Sequence, residues 1–408
     1  MLLDPDEDET AIIAAVRGLF RAEVLPRHAQ HAELLDNPRK TYDALGRYSA
    51  EVLDLQRQIR TISVEAGFYN MFVPETIGGV GLGQETEFRV WEDLYRTTGA
   101  NKWLGWQIVA HWVRGASPLI EAATREAKEK ILPGLLSGEQ THCFAMSEPD
   151  AGSDPWMMST RAVASGDGWR ISGTKQWTSN GPYADWITVL AVTDAKLASE
   201  RRGGITAFLI PSSAPGFTVQ SVIGLFGEIG GDEAILHFDD VEVGPDDVVG
   251  EVDNGFAIGM ALVGKGRLWQ IAKAVGLARW SLEMALEYVK TRRTFGQPLA
   301  ARQGITFPLA EAATEIHAAH LMGLNAAQAV DRGLPATKEL AMAKALSSEA
   351  SVRAVDAAIQ VHGGIGFSNE LGLVNCWNQV RRIRIGDGSS EMMRRSIARS
   401  LLKGDMQL

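Results

Sequence analysis

The chain has 408 residues, more than one hydrophobic core usually organises, so two or three domains are expected. Its hydrophobic content of 45% and charged content of 22% are those of a globular enzyme, and a formal charge of −10 argues against a nucleic acid partner, which needs a basic face. Only two cysteines occur, Cys143 and Cys376, far apart and in no paired motif, which excludes a disulfide framework and a thiolate zinc site. No apolar run reaches the ~18 residues of a membrane span. The acidic start, Asp4 to Glu9, resembles neither a secretory signal nor an Arg-rich transit peptide, so a cytoplasmic location is expected.

Residues 1–141 read mostly as helix. Tyr48 to Ala66 and Glu121 to Leu132 lack glycine and proline, while Pro74 and the cluster Gly78 to Gly83 punctuate the region as a loop. The texture changes over residues 142–248. Trp169 to Ser172 alternates, and Trp186–Val192, Ile205–Ile210 and Ala234–Phe238 are apolar or β-branched runs separated by Gly, Pro and Asp, which is the pattern of short strands. From residue 249 to 408 the chain reads as helix again. There Leu277, Trp280, Met284 and Tyr288 recur at helical spacing and predict one apolar face. The order predicts an α+β fold: an N-terminal all-α domain (1–141), a middle β-barrel or sandwich (142–248) and a C-terminal helical bundle (249–408).

Several common sites are missing from the sequence. No GxGxxG follows a strand and opens a helix, no P-loop is present, and no GxSxG elbow occurs. His317 and His320 lie three residues apart on a helix, but no third ligand stands nearby, so they read as helix-face histidines and no metal is expected.

The most specific stretch is Cys143-Phe144-Ala145-Met146-Ser147-Glu148-Pro149-Asp150-Ala151-Gly152-Ser153-Asp154. Proline fixes a backbone angle, glycine allows close approach to a ligand, and small residues present N–H and hydroxyl groups to a flat polar ring. Further on stand Gly173-Thr174-Lys175-Gln176-Trp177-Thr178-Ser179-Asn180-Gly181, then Arg292-Arg293-Thr294-Phe295-Gly296-Gln297, then Gln360-Val361-His362-Gly363-Gly364. In this order and spacing the motifs resemble the acyl-CoA dehydrogenase family over nearly the whole chain.

The resemblance implies FAD as cofactor and assigns residues to it. Phe144, Met146, Ser147 and Ser153 fall in the first flavin segment. Trp177 takes the position that covers one ring face, with Thr178 beside it, and Ser179 that of the hydroxyl near flavin N5. Arg292, with Thr294, Phe295 and Gln303, matches the element that reaches the FAD pyrophosphate of a neighbouring subunit, a task suited to a guanidinium fork. Gln360, Gly363 and Gly364 match the helix end on the adenosine side, and Ser389 and Glu391 complete the set. These shared elements imply a homotetramer.

Most relatives of this kind carry a Tyr-Glu-Gly-Thr segment whose Glu is the base. Here the segment reads Ile385-Gly386-Asp387-Gly388-Ser389-Ser390-Glu391, and the aligned acid is Asp387, shorter by one methylene. In isolation Asp-Gly is a turn signal. Glu391 is the competing acid, placed on the following helix. The implied reaction is α,β-dehydrogenation of an acyl-CoA thioester to the 2-enoyl-CoA. A carboxylate removes the α-proton, hydride passes to flavin N5, and fixed donors hold the developing enolate. Burial beneath the substrate is expected to raise the base's pKa.

Ser153, Arg267, Gly388 and Trp106 are the expected substrate contacts, and Gly264 stands where an acid often precedes the arginine by three residues. Electron-transferring flavoprotein or a similar acceptor is the implied partner. Lys102 to Trp112, read as a tunnel-lining helix, holds three tryptophans, with Trp103 and Trp106 on one face; they either shorten the acyl tunnel or fill the core. Alternatives on the same scaffold are a nitroalkane-oxidase-like flavin oxidase, which also uses an Asp base, and a flavin monooxygenase. A flavin-free interaction protein is the non-enzymatic alternative.

Overall fold

The structure is a computed structural model that describes residues 4–406. In chain order its longer elements begin with helices α1 (Glu7–Leu19), α2 (Ala50–Glu65), α3 (Gln84–Thr98) and α4 (Arg125–Leu136). Strands β1 (His142–Ala145), β2 (Arg161–Ser165), β3 (Gly168–Ser179), β4 (Trp186–Val192), β5 (Ile205–Pro211), β6 (Phe217–Val222), β7 (Glu233–Val243) and β8 (Val248–Val249) follow. Helices α5 (Gly255–Thr291), α6 (Gln303–Asp331), α7 (Thr337–His362), α8 (Leu373–Ile383) and α9 (Ser390–Leu402) complete the chain. This is the mixed fold expected, with a sheet between helical segments.

The chain divides into two compact units, one of Met1–Pro26, Gly83–Trp106 and Gly264–Leu408, the other of Arg27–Leu82 and Gln107–Val263. The first is helical. The second carries the sheet, whose strands run β6-β7-β3-β2-β4-β5-β8, with β1 added parallel to β4. The four strand-like runs of the sequence all lie within β3, β4, β5 and β7. β4 is buried on both faces because it is central, which is why its sequence is apolar without alternation. Ile171, Val189, Phe208, Leu236 and Phe238 form the heart of the sheet's core.

Side-chain caps set helix starts. Ser49 accepts from the Val52 N–H at the head of α2, and Thr124 accepts from Ala127 N–H at 3.1 Å at the head of α4. The second cap corrects the reading of Glu121 to Leu132 as one helix: the chain breaks at Ala122–Thr124 and restarts. Lys102 to Trp112 is also not a helix. Trp103–Gln107 makes a short 3₁₀ segment, and turns follow as far as Ser117. Gly105 shows why: a Cβ there would meet Thr98 at 2.8 Å and the Phe20 ring at 3.0 Å, so close packing rather than helical propensity decides this segment.

The apolar face of α5 differs from expectation as well. Leu277 is buried, but Trp280, Met284 and Tyr288 are half-buried. The fully hidden stripe is Ile271, Val275, Ala278, Leu282, Ala285 and Val289, in which alanines let neighbouring helices approach closely. Among the described residues no helix is long and apolar enough to cross a membrane.

Candidate active site

In the sheet-bearing unit, the signature loop leaves β1 and folds over a buried ion pair. Lys175, in the middle of β3, has no exposed surface; its Nζ lies 2.7 Å from Glu148 Oε1 and donates to the Met146 carbonyl at 3.1 Å. Glu148 also accepts from Ser159 N–H at 2.6 Å, Ser159 Oγ at 2.8 Å and Thr160 N–H at 3.0 Å. Burial pushes the Glu148 carboxyl up, but Lys175 and these donors outweigh it and hold the group at about 2. Burial lowers Lys175, and Glu148 partly restores it, to about 8. Both are therefore ionised at neutral pH. The Gln176 N–H donates to the Ser147 carbonyl at 2.8 Å, so Met146 and Ser147 are tied to β3 at two points.

At the end of β3 the register with β7 shifts, and Trp177 takes a left-handed backbone with φ of 62°. Its indole is 52% exposed, presented outward rather than packed into the sheet's core. Thr178 turns inward; its buried Oγ1 has no hydrogen-bond partner among the described residues. Ser179 Oγ donates to Glu233 Oε1 at 2.8 Å. Phe144, Met146 and Ser147 are half-buried, and Ser153 is exposed.

In the helical unit, α5, α7 and the turn between α8 and α9 converge on Asp387. Asp387 has φ of 52°, and the next residue, Gly388, has φ of 99°, so the turn runs through two left-handed positions of which glycine supplies the second. Three side chains clamp it. Arg267 Nε donates to the Asp387 carbonyl at 3.0 Å. Gln270 Nε2 donates to Asp387 Oδ2 at 2.9 Å. Lys344, buried on α7, donates to the carbonyls of Ile383 at 3.0 Å, Gly386 at 2.6 Å and Gly388 at 2.6 Å. Burial draws the Lys344 ammonium down to about 8, with attraction to Asp387 opposing the fall and Arg267 adding to it. Burial also lowers Arg267, which Asp387 partly offsets.

Ser389 and Glu391 sit past this turn. Ser389 caps α9, accepting from the Met392 N–H at 3.3 Å. Glu391 is exposed in the first turn of α9; its carboxyl is lowered by its own backbone N–H and by the Ser389 hydroxyl. Glu391 does not share the clamp around Asp387. Arg292 follows the end of α5 and is exposed, as are Gln303 and Gln360. Phe295, on the tip of a hairpin that pairs Thr294 with Gln297, is 95% exposed, and the Arg302 guanidinium lies over its ring at 5.2 Å. Gly363 ends α7 with φ of 66°, and no atom stands within 4 Å of where a Cβ on Gly363 or Gly364 would point.

Trp106 is half-buried. Its Nε1 donates to Thr98 Oγ1 at 2.9 Å, and its ring lies 5.1 Å from that of Tyr95. Lys273 Nζ sits over three rings: Trp269 at 5.0 Å, Trp106 at 5.3 Å and Tyr95 at 5.7 Å. Four residues named here escaped the sequence reading: Lys175, Gln270, Lys344 and Trp269. Lys175 stood inside a quoted motif, but a lysine in a strand reads as an exposed side chain. Trp269 and Gln270 follow Arg267 by two and three residues, and only their position along α5 could have drawn attention to them. Among the described residues no cluster of three or more His, Cys, Asp or Glu comes together as a metal site.

Sequence models of the acyl-CoA dehydrogenase N-terminal, middle and C-terminal domains match residues 6–139, 143–241 and 253–402. A Bacillus subtilis protein named Probable acyl-CoA dehydrogenase YngJ is 33% identical over 398 residues, covering 97% of this chain and 98% of its own. A 3-(aryl)acrylate reductase of Clostridium sporogenes is 32% identical, covering 86% and 91%. The crystal structure of acyl-CoA dehydrogenase from Geobacillus kaustophilus superposes with a TM-score of 0.83 at 28% identity, covering 97% of this chain and 98% of that one. The chain belongs to the acyl-CoA dehydrogenase family. It is a flavin-dependent oxidoreductase acting on CH–CH groups, and its cofactor is FAD. Within the sheet-bearing unit the outward indole at Trp177 and the unpartnered hydroxyl at Thr178 have the chemistry to meet a planar, polar ring; within the helical unit the backbone at Gly363 and Gly364 is open.

Proposed function

We propose that the protein carries out FAD-linked dehydrogenation of an acyl-CoA thioester with Asp387 as the base. The observation that carries this reading is the clamp on Asp387. Arg267 and Lys344 fix the turn through its carbonyls, Gln270 fixes the carboxylate, and no such arrangement surrounds Glu391. A general base acts best when its position is set before the substrate arrives, because motion of the acceptor oxygen by even an ångström is costly in rate.

In this reading Trp177, Thr178, Ser179 and the Met146–Ser147 backbone hold the flavin ring. Arg292, Thr294, Phe295, Gln303, Gln360, Gly363 and Gly364 serve its phosphates and adenosine. FAD, when bound, would supply the acceptor for the β-hydrogen as hydride. Asp387 takes the α-proton and holds it on its carboxyl oxygen while the double bond forms. Gly388, Arg267 and Ser153 lie along the thioester, and Trp106 limits the acyl group. The exposure of Arg292, Phe295 and Gln360 supports cofactor sites completed by a neighbouring subunit, hence a homotetramer, and electron-transferring flavoprotein or a similar protein would reoxidise the flavin. Anaerobic mixing of the purified holoenzyme with an acyl-CoA panel tests the activity: bleaching of the flavin by at least one thioester is expected, and oxidation of nitroalkanes with no bleaching by any thioester would contradict it.

A further inference from the structure

Gln270 stands three residues beyond Arg267 on α5. Its Nε2 donates to Asp387 Oδ2 at 2.9 Å, and its Oε1 is buried with no hydrogen-bond partner among the described residues. A buried acceptor without a partner is uncommon and asks for a reason. The reason follows from what the neighbouring carboxyl does. Before reaction Asp387 is a carboxylate and accepts only. After it takes the α-proton it is a carboxylic acid, and one oxygen has become a donor. An amide offers both roles on the two ends of one planar group.

We propose that Gln270 is a positioning residue that holds Asp387 in both protonation states, donating through Nε2 to the carboxylate and, after a half-turn of the amide, accepting through Oε1 from the carboxylic acid. The inference rests on Asp387 being the base. The proton comes from the substrate α-carbon. Its bonding pair forms the new double bond as the β-hydrogen departs with its own pair to FAD, so no further reactant is involved. An arginine or lysine in place of Gln270 would hold the carboxylate but oppose the acid, and a leucine would hold neither.

The charged groups around Asp387 set the size of the effect. Arg267 reaches it from α5, and Lys344 from α7. From the end of α8 and from α9, Arg384 and Arg394 pair with Glu349 of α7, and both also help lower the Glu391 carboxyl. Arg267 and Lys344 favour the carboxylate whatever stands at position 270, so losing the Gln270 donor gives a partial shift. A donor to the charged form lowers an acid's pKa, and its removal raises it.

The test uses Gln270→Met and Gln270→Glu, both close to glutamine in volume, as FAD-loaded holoenzymes. Two readouts are taken against pH: the rate of anaerobic flavin reduction by an acyl-CoA, and the infrared carboxylic-acid stretch that disappears in Asp387→Asn. In Gln270→Met the acid limb of the rate and the infrared midpoint should move up together, with the high-pH plateau largely kept. In Gln270→Glu two carboxyls compete for one proton, and the upper midpoint should rise further. A rate lowered equally at every pH with an unmoved midpoint would overturn the proposal, because a merely structural role gives that result. If Asp387→Asn still reduced its flavin at full rate, the reading of the base would fall. The infrared midpoint would still report the pair, and an unmoved value in Gln270→Met would overturn the inference by itself.

Discussion

Lys344 Nζ donates to the Gly388 carbonyl at 2.6 Å, and the same ammonium reaches the carbonyls of Gly386 and Ile383. One buried lysine on α7 therefore uses all three of its N–H donors on the turn that carries Asp387. Deprotonation leaves two donors for three carbonyls. Since Lys344 is drawn down to about 8, flavin reduction should fall on the alkaline side with a midpoint near that value. Lys344→Met should be slow at every pH and lack that alkaline limb. A stopped-flow pH profile of both proteins checks this, and an alkaline limb that persists unchanged in Lys344→Met would assign it to another group.

The Glu148–Lys175 pair gives a stability prediction with a definite sign. Glu148 is held at about 2, below its ordinary 4.5, so the stability it contributes is present above pH 4.5 and is lost as pH falls from there towards 2. Lys175, lowered to about 8, acts oppositely: its burial cost is fully present below pH 8 and fades as pH rises towards 10.5. Removing one partner strands a buried charge. Glu148→Gln should cost about 3–5 kcal/mol, while Glu148→Gln with Lys175→Met should cost less than that single change. Urea unfolding of the holoenzyme measures both, with FAD retention as a second signal because the pair anchors the Met146 carbonyl.

Much of this was legible in the sequence, for physical reasons particular to each element. The strands at Trp186–Val192 and Ile205–Pro211 announced themselves because β-branched residues bounded by turn formers leave few alternatives. The family, and with it the FAD cofactor, was legible because the order and spacing of its motifs are specific. The segment Lys102 to Trp112 misled, since its apolar texture suits a helix, and only the contact of Gly105 with Thr98 and Phe20 shows why the chain turns. The partners of Lys175, Lys344 and Gln270 were not legible, although Lys175 itself stood inside a quoted motif. Each acts on a partner distant in sequence, and nothing local distinguishes a lysine bound for a carbonyl cage from one bound for solvent.

Arg292 lies exposed at the end of α5, so Arg292→Ala should leave the helical unit's stability within about 0.5 kcal/mol of the parent. If Arg292 serves the FAD phosphates as proposed, the FAD affinity should drop at least tenfold with the loss of a charge-assisted contact. Fluorescence titration with FAD and light scattering together decide: a monomer that keeps full FAD affinity would contradict both the assignment and the shared site.

The rings of Trp106, Trp269 and Tyr95 surround Lys273, and in the proposed function Trp106 limits the acyl group. Short, branched, cyclic or aromatic acyl groups should therefore be preferred. The kcat/KM values for isobutyryl-, cyclohexanecarboxyl-, phenylpropionyl-, octanoyl- and palmitoyl-CoA should peak among the first three. Trp106→Ala should move the optimum towards longer chains. An optimum at palmitoyl-CoA in the parent enzyme would refute the proposed wall.

The identity of the base is tested most directly by anaerobic stopped-flow reduction of Asp387→Asn beside Glu391→Gln, both loaded with FAD and saturated with a substrate of the parent enzyme. Asp387→Asn should bind FAD and acyl-CoA normally yet reduce its flavin more slowly by about 10³-fold or more, as general-base loss requires. Glu391→Gln should stay within a few-fold of the parent. The reverse pattern, an active Asp387→Asn and an inert Glu391→Gln, would show that the clamp on Asp387 serves the fold and not the chemistry.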